Sequence, residues 1–475
     1  PTPRLTVLTP SGGKVGTSVE VTFAGTELEE PTELIFSHPG IKGVPIIPPL
    51  PKPDPKAKPD PKAPPPKAPP TTKITVTIDK AVPPGLYDVR LVNEKGVGNP
   101  RVFVVGELNE IAEKEPNNDV DQAQKVDIGT TINGSIGGGT DVDYTTFTGK
   151  KGQRVLIMCL AHSIDSRMEP EMKLFDSAGK QLAYFRAQPD QDGVLDQVLP
   201  ADGDYVLRLI QFTYIQPFAA NEYHYRLSIS TGPRIDAVFP PMIEPGKTAQ
   251  VTLYGRNLPG GQLDPAAILN GSVLEKLTVS IAAPADPLAQ TRLGYTGNIP
   301  PATALLDGFE YRLPSPQGQS NPVLLTYAKA PVILENDKND TFETAQEVPV
   351  PCEIAGRIDK RGDRDWYSFT AKKGESFIIE TFSHRLGAPT DMYLSVRNAK
   401  KAEIVSLDDN PESLSPKTFF STSRDPAPFK FTATEDGKYY LLVGSHTADN
   451  HADATHVYRV RISPEKPDFR LFVMP

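Results

Sequence analysis

The chain has 475 residues, with 50 Lys+Arg against 59 Asp+Glu and a formal charge of −9. At roughly 100–200 residues per domain this length predicts about three to five domains. No apolar run approaches the ~18 residues that cross a bilayer, and the acidic balance argues against nucleic acid as the main partner. Two cysteines exclude a disulfide scaffold and a cysteine-based zinc site. With 50 prolines, twice the usual ~5%, long helices are excluded, since each interior proline costs about 3 kcal/mol. The expectation is an all-β, multidomain chain of tandem β-sandwiches.

The chain is organised by repetition. The opening, Pro3-Arg4-Leu5 to Gly25-Thr26-Glu27-Leu28, returns without a gap as Pro233-Arg234-Ile235 to Gly255-Arg256-Asn257-Leu258. A second kind of segment places Glu113 on Glu335, Asn117 on Asn339, Asp141 on Asp363, Asp143 on Asp365, Phe147 on Phe369 and Gly152 on Gly374, again without a gap. Later, Asp202-Gly203-Asp204-Tyr205 returns as Asp436-Gly437-Lys438-Tyr439. The order is A-B-A-B: A1 over residues 1–108, B1 over 109–232, A2 over 233–330 and B2 over 331–463.

Taken along the chain, A1 offers strands at Val19–Phe23 and Ile74–Ile78, with the turn signal Pro84-Gly85 after them. Between these strands lies a low-complexity insertion, residues 45–70, in which Pro53-Asp54-Pro55-Lys56-Ala57 recurs as Pro59-Asp60-Pro61-Lys62-Ala63. Such a composition cannot bury enough apolar surface to offset its ordering entropy, so it is expected to be an extended, exposed loop. B1 has a short helical pattern at Asp119–Val126 and a strand at Tyr205–Ile210, closed by Asp202-Gly203. Short strands with Gly/Pro punctuation are the pattern of β-sandwiches. The tail, residues 464–475, alternates like the first strand of a further, truncated domain. With a proline at position 1, the chain reads as a piece of something longer, so a missing signal peptide does not argue against export.

The B segments resemble bacterial pre-peptidase C-terminal domains. In B1 the resemblance rests on Glu115-Pro116-Asn117-Asn118-Asp119, Gly134-Ser135-Ile136, Asp141-Val142-Asp143-Tyr144, Lys151-Gly152 and Asp202-Gly203-Asp204-Tyr205. B2 carries Asp337-Lys338-Asn339-Asp340, Gly356-Arg357-Ile358, Asp363-Arg364-Asp365-Trp366 and Asp436-Gly437-Lys438-Tyr439; it departs from the pattern with Asp337 for Glu and Lys338 for Pro. The A segments resemble immunoglobulin-like IPT/TIG domains, on Thr9-Pro10, Gly16 and Gly25 and on Phe239-Pro240, Gly246 and Gly255. Together the two resemblances imply a modular bacterial protein, secreted or held at the cell surface, of jelly-roll-like and immunoglobulin-like sandwiches. Some members of the first family bind calcium or matrix polymers.

The strongest candidate chemistry is acidic. In an extended segment, residues two apart share a face. Glu113, Glu115 and Asn117 do so, as do Asp141 and Asp143; the repeat has Glu335, Asp337 and Asn339 with Asp363 and Asp365. If the two segments of each set meet, they gather the hard oxygens that Ca²⁺ takes, six to eight at roughly 2.3–2.6 Å. The resemblance points the same way, since calcium-dependent relatives place ligands in these two regions. The alternative is that these residues satisfy turn backbones and face solvent.

The other candidates read as structural. His446, His451 and His456 fit an exposed loop, and His162 and His384 an equivalent structural position. Cys159 and Cys352 read as free, buried thiols, and Trp366 as a core aromatic replacing Tyr144. No catalytic motif is present, and no aromatic platform for sugars is evident.

The expectation is a non-catalytic, extracytoplasmic string of binding or spacer modules, calcium-stiffened, that adheres to an extracellular polymer or protein surface or to itself. The rivals are an accessory region of a secreted peptidase or other hydrolase, and a structural component of a cell-envelope or extracellular assembly.

Overall fold

The computed structural model describes residues 2–49, 71–137, 141–187, 191–212, 222–300, 302–410 and 423–466. Most of the proline-rich insertion and the tail from residue 467 onward lie outside the described residues, and with them the expectations placed there. The chain divides into two compact units, Pro1–Gly232 and Pro233–Pro475. Both are built of antiparallel and mixed sheets, and the helical residues among those described are single 3-10 turns.

In the first unit, residues up to Gly106 form a nine-stranded sheet. Its two halves are joined where Glu33–Phe36 meets Ile41–Pro45 through the single pair Leu34 and Gly43. A Cβ at Gly43 would lie 2.7 Å from Leu34 Cβ, so a side chain there would push the joint apart. The halves fold over one core that includes Leu5, Val21, Ile74, Val89 and Phe103. The predicted strands at 19–23 and 74–78 lie within Ser18–Thr26 and Lys73–Ile78.

The rest of the unit is two facing five-stranded sheets. One runs Asn109–Ala112, Thr130–Ser135, His224–Ser230, Arg154–Leu160, Gly193–Val198; the other runs Gln124–Lys125, Asp143–Gly149, Gly203–Gln211, Pro170–Phe175, Gln181–Arg186. The alternation is plain in Asp143–Gly149, where Asp143, Thr145 and Phe147 are buried and the residues between them are not. Period two therefore puts Asp143 on the inner face. Phe147 joins the core with Val155, Ile157, Leu207 and Ile229. The helical pattern at Asp119–Val126 becomes only a 3-10 turn, Val120–Gln122, because strand Gln124–Lys125 pairs immediately with Thr145 and Thr146.

The second unit begins with two four-stranded sheets and a two-stranded hairpin, over residues 234–327. It continues with two five-stranded sheets, Val332–Leu334, Cys352–Arg357, Val457–Pro464, Ser376–Phe382, Phe429–Thr432 and Gln346–Glu347, Arg364–Ala371, Gly437–Ser445, Met392–Asn398, Glu403–Leu407. Their order repeats that of residues 109–230 strand for strand. The Asp-Gly-x-Tyr turns work alike: Tyr205 Oη donates to the Ala201 carbonyl at 2.6 Å and Tyr439 Oη to the Glu435 carbonyl at 2.9 Å. A buried hydroxyl thus satisfies the carbonyl four residues back.

Trp366 corrects the sequence reading. Its neighbours Asp365 and Tyr367 point inward, so Trp366 lies half-buried on the outer face. There Phe342 packs edge-on at 5.4 Å and in turn stacks on Tyr440 at 3.9 Å. Three aromatic rings thus pack together on this face, brought from residues about 100 positions apart.

Two candidate metal centres

Each site forms where the chain enters its sandwich. Strand Asn109–Ala112 runs parallel to Thr130–Ser135, and the pairing continues as Glu113 N–H donates to the Asn133 carbonyl at 2.9 Å. Glu113 is thereby laid against the end of the inward-facing strand that carries Asp143. Tyr144 N–H donates to the Asn117 carbonyl at 2.9 Å, and Trp366 N–H to Asn339 at 2.7 Å. The two acidic segments thus meet in both repeats.

In the first site, oxygens of Glu113, Glu115 and Asp143 lie within 4.8 Å of one another. Glu113 Oε1 accepts from Tyr225 Oη at 2.8 Å and from Asn117 Nδ2 at 3.1 Å, while Oε2 accepts from Ser135 N–H at 3.0 Å. Glu115 Oε2 accepts from Asn117 N–H at 3.0 Å. Asn117 and Asp143 are each 2% exposed, and Asn117 Oδ1 and both Asp143 oxygens lack a hydrogen-bond donor among the described residues. Burial first, and then the Glu113 carboxylate, pushes Asp143 up to about 9. Burial also raises Glu115 and Asp141.

In the second site the trio is Glu335, Asp363 and Asp365. Glu335 Oε2 accepts from Arg357 N–H at 2.8 Å. Asp365 Oδ2 accepts from Tyr458 Oη at 2.6 Å, and Tyr458 Oη lies 2.7 Å from Tyr367 Oη. Asp363 Oδ1 lies 3.6 Å from Lys360 Nζ. Asn339 and Asp365 are fully buried, and both Asn339 side-chain polar atoms and Asp365 Oδ1 lack hydrogen-bond partners among the described residues. Burial and then Glu335 push Asp365 up to about 10, and burial pushes Glu335 to about 7.

Two predicted carboxylates fall outside the trios. Asp141 Oδ2 is taken by the Gly137 N–H. Asp337 is exposed, with φ 54, where the chain departs from the Glu-Pro pattern, and it is not one of the trio. The tyrosines are the residues that spacing missed, since Tyr225 is 112 positions from Glu113. Their signal is the repeated pair Tyr225-Arg226 and Tyr458-Arg459. The glycines serve these rings: a Cβ at Gly134 would lie 2.5 Å from Tyr225, and one at Gly356 would lie 2.2 Å from Tyr458.

The donor set fits a hard cation. It is all oxygen, partly buried, and rich in carboxylates that cannot all ionise together without a counter-charge. Elsewhere, Cys159 and Cys352 are free and buried. His446 sits against Tyr393 at 4.8 Å, and His456 Nδ1 lies 3.2 Å from Asp453. No three-ligand group among the described residues includes a histidine.

Residues 363–445 match the family model of the bacterial pre-peptidase C-terminal domain. A probable subtilase-type serine protease of Deinococcus radiodurans is 34% identical over 106 residues, which is 22% of this chain and 15% of that protein. The chain therefore matches only a small part of that relative's length. Among solved structures, the pre-peptidase C-terminal domain of a Bacillus anthracis collagenase is 20% identical, covering 25% of this chain and 99% of that one, with a TM-score of 0.19. The Bacteroides ovatus mixed-linkage glucan utilization locus protein SGBP-B, solved with a mixed-linkage heptasaccharide, is 9% identical, covering 96% of this chain and 69% of that one, with a TM-score of 0.15. Among the described residues no helix is long and apolar enough to cross a membrane. This chain is thus similar to pre-peptidase C-terminal domains over residues 363–445.

Proposed function

We propose that the chain is a non-catalytic, extracytoplasmic accessory region in which two pre-peptidase C-terminal-like modules alternate with two IPT/TIG-like modules. Each of the former holds one Ca²⁺ at the entry to its sandwich. The ligands are Glu113, Glu115, Asn117 and Asp143 in the first, with Asp141 closing the loop, and Glu335, Asn339, Asp363 and Asp365 in the second. The observation that carries this reading is the inward acid of each repeat, Asp143 and Asp365, buried with unpartnered oxygens beside a second carboxylate. A cation would supply the charge these groups lack. The modules then present their outer strands and loops to an extracellular polymer or protein.

The match to a subtilase-type protease over 106 residues supports a second reading, in which these modules accompany a secreted peptidase. Isothermal titration of Ca²⁺ into the chelator-treated chain tests the metal assignment. Two sites per chain are expected, with one lost in Asp143→Asn and the other in Asp365→Asn. Absence of binding at millimolar Ca²⁺ would refute it.

A further inference from the structure

The same turn ends the same strand in both units and meets different surroundings. In the first, the 3-10 turn His162–Ile164 closes with Asp165 in the left-handed region at φ 63. The Asp165 carboxylate accepts the Val102 N–H at 3.0 Å, with Arg101 3.8 Å away. Val104, two residues on, donates its N–H to the Ser11 carbonyl at 2.9 Å. Amides two apart on a strand point the same way, so Asp165 extends this edge ladder past the short strand Gly12–Lys14.

In the second unit the turn is His384–Leu386, and the closing residue is Gly387 at φ 81. The edge strand is Val323–Tyr327, where Thr326 N–H donates to the Pro241 carbonyl at 3.0 Å. By the same alternation the Leu324 N–H points to the edge that Asp165 covers in the first unit. Gly387 has no side chain to reach it, and a cleft of about 360 Å³ opens there. Thr303 lines this cleft, 4% exposed, with its hydroxyl lacking a hydrogen-bond partner among the described residues. Arg234 lines it as well. The Asp236 carboxylate is shared between Arg234 at 3.1 Å and Arg256, so the three carry one net positive charge. Leu386, Ala388 and Pro389 form an apolar wall.

We infer that this cleft binds a carboxylate group, held by the Leu324 N–H and the Thr303 hydroxyl beside Arg234, in the place that Asp165 fills in the first unit. Two donors and a neighbouring cation make charge-assisted hydrogen bonds to an anion. The volume is that of a small-molecule site, so the carboxylate arrives on a small acid or on an acidic side chain of a polypeptide.

The test follows leucine methyl resonances of Leu324 and Leu386 in the full chain. The probes are propionate, its neutral analogue propionamide, and an acetylated, amidated hexapeptide with the sequence of residues 162–167. Propionate is expected to shift both leucines saturably and propionamide to leave them unmoved. Gly387→Asp should abolish the shift, because a Cβ there has no heavy atom within 4 Å and aspartate tolerates the left-handed region. Thr303→Val, with its melting transition checked, should weaken binding about tenfold, as expected for one lost charge-assisted bond. Peptide binding tighter than propionate assigns a polypeptide partner, and equal binding assigns a small acid. The inference is overturned if propionate gives no saturable shift, if propionamide matches it, or if the shift survives in folded Gly387→Asp.

Discussion

Residues 109–232 and 331–463 build the same sandwich with the same inward acid, yet they surround that acid differently. Tyr225 donates to Glu113 in the first, and both oxygens of Asp143 lack a donor among the described residues, whereas Tyr458 donates to Asp365 itself and is backed by Tyr367. Thr145 stands where the second repeat has Tyr367, so the first site lacks that second hydroxyl. The loops beyond the sites differ too. Phe342 is clamped between Tyr440 and the edge of Trp366, while its counterpart Val120 is 51% exposed. Strand order and alternation are thus repeated, while the groups that compensate the buried charge are local to each copy.

The same divergence marks the equivalent arginines. Arg226 pairs with Glu110 at 2.6 Å. Arg459, 2% exposed, instead uses Glu353 of the neighbouring strand, and it also donates to Thr326 Oγ1 at 2.8 Å and to the Tyr327 carbonyl at 3.1 Å. Glu353 is fully buried and also holds Arg461 at 3.1 Å; Arg461 lies 3.4 Å from Glu380, which reaches Arg385 at 2.9 Å, and Arg385 reaches Asp425 at 2.8 Å. The position of Glu353 is Thr131 in the first repeat.

The comparison breaks most easily at that chain of charges. Glu353→Ala leaves the buried Arg459 guanidinium without its acid and Arg461 with only Glu380, and is expected to cost about 3–5 kcal/mol in denaturant unfolding of the second unit. Thr131→Ala loses only a hydroxyl contact to Ser228 at 2.8 Å and should cost about 1 kcal/mol. Similar costs at the two positions would show that the charge chain is not what distinguishes the repeats. Next in size, Phe342→Ala should cost about 2 kcal/mol through lost stacking and burial, against less than about 0.5 kcal/mol for Val120→Ala.

The pH dependence has a definite sign. Asp143 and Asp365, raised to about 9 and about 10, bind protons in the folded, metal-free chain that the unfolded chain releases. Stability without metal should therefore rise as pH falls from about 9 to about 6. Calcium should flatten this slope and release protons on binding near neutral pH, giving a binding heat that varies with buffer ionisation enthalpy.

Much of this was legible in the sequence, and the limits are physical. Gap-free repetition and period-two patterning pointed to an all-β chain and to acids meeting across two segments. Spacing alone does not say which acids turn inward. Asp143 and Asp365 do so by strand parity, Asp141 is captured by a backbone N–H, and Asp337 is exposed on a left-handed backbone. The tyrosines, the charge chain and the Trp366 cluster depend on strands distant in sequence, and the sequence carries a signal only for the tyrosines, the repeated Tyr-Arg pair, which the sequence reading did not use. Trp366 was misplaced because the sequence reading did not count its parity from Asp365.

The most direct test is scanning calorimetry at neutral pH on the wild type, Asp143→Asn, Asp365→Asn and the double variant, each with excess Ca²⁺ and with chelator. At one hundred times Kd a ligand stabilises the folded state by about 2.7 kcal/mol. The wild type should therefore melt higher with calcium, each single variant should lose one share of that shift, and the double variant should lose both. Without calcium the variants should melt no lower than the wild type, because each amide replaces a carboxyl that burial already keeps from ionising. A wild-type transition indifferent to calcium, or a double variant that keeps the full shift, would contradict the account.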